Sequence, residues 1–153
     1  MPAARPAPVA PLSKADYEAM ADFRYQLRQF LSFSEKAAHE AGITPRQHQA
    51  LLAIKGFPGR DYVTVGELAE QLQIAHHSAV ELTDRLVGQR MVTRKAATED
   101  RRAVLLRVTR RGETLLAKLS LAHRTEIQRM VPALQMLLER INLGANYPES
   151  PPG

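Results

Sequence analysis

The side chains best suited to chemistry lie between residues 76 and 102. His77, Ser78, Glu81 and Arg85 recur at helical spacing, so on a helix they would project from one side, with His76 beside them at its start. Imidazole, hydroxyl and guanidinium groups at the start of such a helix can meet base edges or phosphates in a major groove. Arg94, Lys95, Asp100, Arg101 and Arg102 follow in the next segment. Two adjacent arginines beside a carboxylate, on a tip too short and polar to pack, suit phosphates or a narrow minor groove. Glu81 is the odd member, because an acid facing DNA repels phosphate. Two readings stay open for it: a structural clamp on Arg85 at i+4, or an acceptor for the amino group of cytosine.

The elements that must position these groups are legible. Thr64 with Glu67 three residues on is a capping box, each side chain satisfying the other residue's backbone N–H. Val65, Leu68, Ala69 and Leu72 then recur at helical spacing. Gln73-Ile74-Ala75 is a short connection to a second helix, predicted from about His76 to Gln89. Its buried stripe is Ala79, Leu82, Thr83 and Leu86, opposite the polar set. Met91 to Lys95 and Ala103 to Val108 read as the two strands of a hairpin whose tip is Ala96 to Arg102. Two helices, a tight turn and a basic hairpin together predict a winged helix-turn-helix.

From Thr64 through Thr109, and on into VTRRGETLL, the chain resembles the DNA-binding core of the MarR family of bacterial transcription regulators. The resemblance extends over roughly Asp16 to Ile141. The family's Asp-x-Arg wing signature is matched by Asp100 and Arg102. This implies that the arginine enters the minor groove while the aspartate steadies the wing. Two positions depart from the family pattern. Ala75 stands where relatives carry a serine-like cap, a loss of about 1 kcal/mol. Arg90 stands where relatives carry glycine at the end of the recognition helix, and a non-glycine residue in a left-handed cap costs about 1–2 kcal/mol. Gly88 offers an alternative, earlier helix end.

Composition narrows the function classes. The chain has 153 residues, enough for one domain with a real core, and 44 % of them are hydrophobic. No apolar run approaches the ~20 residues of a membrane span. The Pro/Ala-rich start lacks the apolar core of a signal peptide, so a cytoplasmic protein without a membrane role is expected. There is no cysteine, hence no disulfide and no thiol switch. Of 21 basic and 16 acidic residues, residues 85–111 hold nine basic and two acidic, net +7; the remainder is net −2. Positive charge focused on one DNA-docking motif reads as an electrostatic footprint.

The flanks read as scaffold. Residues 1–12 and 144–153 are expected to be disordered tails around one domain at 13–143. Within it, about 44–109 form the DNA-binding lobe, and 13–42 and 110–143 form dimerisation helices. The first helix shows Tyr17, Met20, Arg24, Leu27, Leu31, Ser34 and Ala38 along one face and should end at Gly42. Thr44-Pro45-Arg46-Gln47 opens the second as a cap, a first-turn proline and a glutamine at the third helical position. Phe57 to Val63 reads as a loop. Thr109 should cap a long last helix, with Pro132 kinking or restarting it. The apolar stripes on the terminal helices exceed what one small lobe can bury, which predicts a homodimer, as the resemblance also implies.

These readings converge on a mainly α protein with a small β-hairpin wing that binds double-stranded DNA. As a two-fold dimer it would meet a pseudo-palindromic operator with half-sites about one turn apart, and act as a repressor. The resemblance further implies release by a small aromatic or anionic effector, with Tyr17, Arg24, Phe30, Phe33 and His48 as the pocket walls. By residue type alone these aromatics are core, and His48 is an ordinary, partly exposed residue. The five histidines show no HxxxH-type pair and no cysteine accompanies them, so no metal or other cofactor is expected. There is no Gly-rich phosphate loop, nucleophile elbow or pair of catalytic carboxylates, which points away from an enzyme. The alternative is a winged helix used for protein docking, or an architectural DNA-binding module with no effector.

Overall fold

The structure, a computed structural model, describes residues 11–98 and 103–144, the last four as backbone only. The element order is α1 (Lys14–Glu40), α2 (Pro45–Lys55), β1 (Tyr62–Thr64), α3 (Val65–Leu72), α4 (His76–Gly88), β2 (Val92–Ala96), β3 (Val104–Val108) and α5 (Arg110–Gly144). The chain divides into two compact units, at Phe30/Leu31 and at Glu126/Ile127.

In the unit made by the chain's two end segments, Ser13 starts α1. Its backbone N–H donates to the Asp16 carboxylate at 2.8 Å, and its hydroxyl accepts from the Asp16 N–H at 3.2 Å. The backbone N–H bond, with a second from the Ser13 hydroxyl to the same carboxylate at 2.8 Å, holds the Asp16 carboxyl below its ordinary range. Arg140 donates to the carbonyl of Ala15 at 3.0 Å, joining the two ends of the fold. Leu137 is buried there, whereas Tyr17, Met20, Leu134, Met136 and Leu138 are exposed. Pro132 lies inside an unbroken α5. The helix therefore continues past the residue expected to kink or restart it, without the N–H that proline lacks.

In the central unit, both predicted capping boxes form. Thr44 accepts from Gln47 N–H and Gln47 Oε1 accepts from Thr44 N–H; Thr64 and Glu67 do the same for α3. Glu67 also pairs with Arg60, whose guanidinium rests over the rings of Phe57 and Tyr62 at 4.5 and 5.0 Å. That ties the 57–63 segment to α3. The core joins Ala38 and Ile43, Ala50, Leu51 and Ile54 of α2, Leu68 of α3, Leu82 and Leu86 of α4, Val63 and Leu106 of the sheet, and Leu116 and Leu119 of α5.

The sheet corrects the two-stranded expectation. It has three antiparallel strands in the order β1-β3-β2. Tyr62, Val63 and Thr64 pair with Arg107, Leu106 and Leu105, and Val92 to Ala96 pair with Val108 to Val104. Three residues next to a helix cap carry too little alternation to announce a strand. β1 exists because β3 has a second edge to pair and Val63 has a core to enter. The two strands predicted for the wing both begin one residue later than expected.

The end of α4 also resolves an alternative. The helix stops at Gly88, but Gly88 does not take the left-handed conformation; Arg90 does, at φ 60°. The turn is held from outside: Met91 N–H donates to Leu86 O at 2.9 Å, and the Thr109 hydroxyl donates to Arg90 O at 2.6 Å. Thr109 accepts from Gly112 N–H as the expected cap of α5. A second left-handed residue, Gln73 at φ 51°, turns the chain between α3 and α4.

His48 corrects another expectation. It is only 4 % exposed, not a surface residue. Its ring lies 4.7 Å from that of His123, which in turn meets Phe33 at 5.2 Å and shares a hydrogen bond with Ser34 at 2.8 Å. His48 falls on the inner side of a short helix, where α1 and α5 cover it, and sequence periodicity alone cannot tell which neighbours will arrive.

Candidate nucleic-acid interface

The inner stripe of α4 forms as predicted. Ala79, Leu82, Thr83 and Leu86 are buried, and the Thr83 hydroxyl is satisfied by the Ala79 carbonyl at 2.7 Å. That anchoring leaves the outer face uncovered: His76, His77, Glu81 and Arg85 are exposed and Ser78 is half-buried. Ala75 caps α4 without any side-chain hydrogen bond, so the first N–H groups of the helix stay available to an anion.

Ser78, Glu81 and Arg85 line one side of a concavity of about 200 Å³, together with Ile74 and Leu82. Thr44, Arg46 and Gln47, from the start of α2, form the other side. Arg46 was not legible as a site residue. One signal could have flagged it: a cation in the first turn of a helix opposes the helix dipole, and α2 has no acid there. The clamp between Glu81 and Arg85 does not form; among the described residues, neither makes an ion pair.

The basic stretch is partly neutralised from outside itself. Arg94 of β2 pairs with Asp84 of α4, and Arg107 of β3 pairs with Asp61 while lying 4.7 Å over the Tyr62 ring. Arg94 thus ties the base of the hairpin to the recognition helix, a role the sequence did not reveal. Arg85, Arg90, Lys95, Arg110 and Arg111 are exposed. Asp100, Arg101 and Arg102, expected at the wing tip, lie outside the described residues. Of the residues named for an effector pocket, Phe33 and His48 meet around His123 in the central unit. Tyr17 and Arg24 are exposed and Phe30 half-buried in the other.

Comparison with known proteins points to one family. The profile of the MarR family matches residues 41–103, from the end of α1 through the hairpin tip. That match spans 63 of the chain's 153 residues, so the likeness to the MarR family is carried by the winged-helix segment. No curated protein matches it in sequence. Among solved structures, a MarR family protein from Bacillus stearothermophilus is similar at 18 % identity, covering 88 % of this chain and 97 % of that one, with a TM-score of 0.71. AbsC, a MarR family transcriptional regulator from Streptomyces coelicolor, is similar at 19 % identity over 86 % and 90 %, with a TM-score of 0.67. A MepR mutant from S. aureus, solved bound to an oligodeoxyribonucleotide, is similar at 18 % identity over 81 % and 91 %, with a TM-score of 0.62. At these identities the likeness is one of fold. The chain therefore has the winged-helix fold of these structures, and no helix among its described residues is long and apolar enough to cross a membrane.

Proposed function

We propose that the protein is a homodimeric transcriptional repressor that occludes a pseudo-palindromic operator and is released by a small aromatic or anionic ligand. The observation that carries DNA reading is α4: its inner stripe is locked in the core while its outer face is uncovered. Exposed cations on β2 and at the start of α5 complete a surface suited to phosphates. His76, His77, Ser78, Glu81 and Arg85 are the proposed groove residues. Lys95, Arg101 and Arg102 are the proposed backbone and minor-groove contacts, with Asp100 steadying the tip. Arg94 acts through its pairing with Asp84.

Dimerisation is supported by the apolar positions left exposed on the terminal helices, Tyr17 and Met20 on α1 and Leu134 and Leu138 on α5. Repression and ligand release rest on the family resemblance.

The test is selection of bound duplexes from a random pool at moderate salt. The expected product is a pseudo-palindrome with half-sites about one turn, roughly 10 bp, apart. If the dimer neutralises about 6–10 phosphates, log K should fall with log salt at a slope of roughly −5 to −9. Sequence-blind binding alone would reject the reading and leave an architectural or protein-docking role.

A further inference from the structure

Glu81 is the acid of the recognition face, and the fold does not use it. It is exposed on the outer side of α4, and among the described residues no cation lies within ion-pairing distance of it. Its candidate partner, Arg85, lines the same concavity without bonding to it, and Arg46 faces it from the start of α2. A carboxylate kept for stability would be paired, capping a helix or buried; Glu81 is none of these. On a surface that must approach phosphates, an idle acid only weakens binding, unless it meets a donor there.

We propose that Glu81 is a specificity residue that selects a cytosine in each operator half-site by accepting a hydrogen bond from the cytosine amino group. The proposal rests on the DNA-binding reading above and adds which base is read. In the major groove, cytosine presents an amino donor, whereas guanine and thymine present acceptor oxygens that repel a carboxylate. Adenine presents its amino donor beside the N7 acceptor, so it ranks second. Arg46 and Arg85 flank the acid and offset its repulsion from the phosphates. Ser78, one helical turn before it on the same wall, leaves room for the base edge to approach.

The experiment compares duplexes selected from one random pool by the wild-type protein and by Glu81→Gln. Both proteins are first checked by circular dichroism and for oligomeric state. The wild type should recover a cytosine at one fixed position of each half-site. Glu81→Gln gains a donor beside its acceptor and matches adenine, so preference at that position alone should move from cytosine to adenine or vanish. Replacing the selected cytosine by thymine should weaken wild-type binding about 5- to 30-fold, the lower part of the discrimination range for a good base pairing. The same replacement should weaken Glu81→Gln binding much less. A wild-type motif with no shared cytosine overturns the proposal, as does a motif that Glu81→Gln leaves unchanged; both leave the DNA-binding reading standing. Failure of the wild type to select any motif overturns both.

Discussion

Gly112 offers a quantitative test of how the hairpin is seated on α5. It is buried in the first turn of that helix, and a Cβ added there would lie 2.5 Å from Met91 O and 2.7 Å from Val108 Cγ1. Neither neighbour can retreat easily. Met91 O is held by Thr109 N–H at 2.9 Å, and Val108 is paired with Val92 in the sheet. Overpacking of this kind costs about 1–3 kcal/mol. With a held backbone oxygen only 2.5 Å away the upper half of that range applies, about 2–3 kcal/mol; alanine recovers about 1 kcal/mol of helix propensity over glycine, so Gly112→Ala should destabilise by roughly 1–2 kcal/mol. For a chain of this size that is about 2–8 °C in Tm. Gly88 is the matched control: an added Cβ meets nothing within 4 Å and its φ is not left-handed. Gly88→Ala should be neutral or stabilising by up to about 1 kcal/mol. Urea denaturation of wild type and both variants, at one protein concentration because the stability of the proposed dimer would depend on it, decides the matter. A Gly112→Ala protein as stable as wild type, or more so, would refute the close approach of α5 to the root of the hairpin.

Other outcomes follow from the same geometry. Ala75 leaves α4 without a side-chain cap, so Ala75→Ser should raise stability by about 1 kcal/mol in the same denaturation assay; no gain would mean that another group already satisfies those N–H donors. Arg85→Ala should weaken duplex binding while making the salt slope shallower by about 1 for each phosphate the arginine had neutralised, and an unchanged slope would show that Arg85 meets no phosphate. His48 is buried with its Nδ1 unpartnered, and burial first, then the neighbouring His123, push its imidazole below the ordinary histidine value of 6.5. The neutral form is thus favoured in the fold, so its share of stability is present above pH 6.5 and is lost as pH falls towards the lowered folded value. Denaturation at pH 7.5 and 5.5 should show a larger acid loss for wild type than for His48→Leu, and equal losses would remove His48 from the acid response.

Much of the fold was legible because its signals are local. Thr44 with Gln47 and Thr64 with Glu67 act within one turn, so a four-residue window suffices to place two helix starts. The stripe Ala79, Leu82, Thr83 and Leu86 needed only helical periodicity, and it also showed which face of α4 would be outermost. What escaped depends on partners distant in sequence. β1 is a strand only because β3 lies beside it. Arg94 looked like a free cation until α4 brought Asp84 to it, and Arg107 until Asp61 arrived. His48 became a buried residue once α1 and α5 had closed over α2.

The candidate site divides along the same line. The sequence by itself determined that a recognition helix with a polar outer face would be followed by a basic hairpin, because residue type and period decide which side of a helix seeks the core. Only the tertiary structure decided how those polar groups are employed. It placed Arg46 across the concavity from Glu81 and left the carboxylate unpaired beside Arg85. An ion pair depends on where two flexible side chains come to lie, and spacing along the chain states only that they can meet.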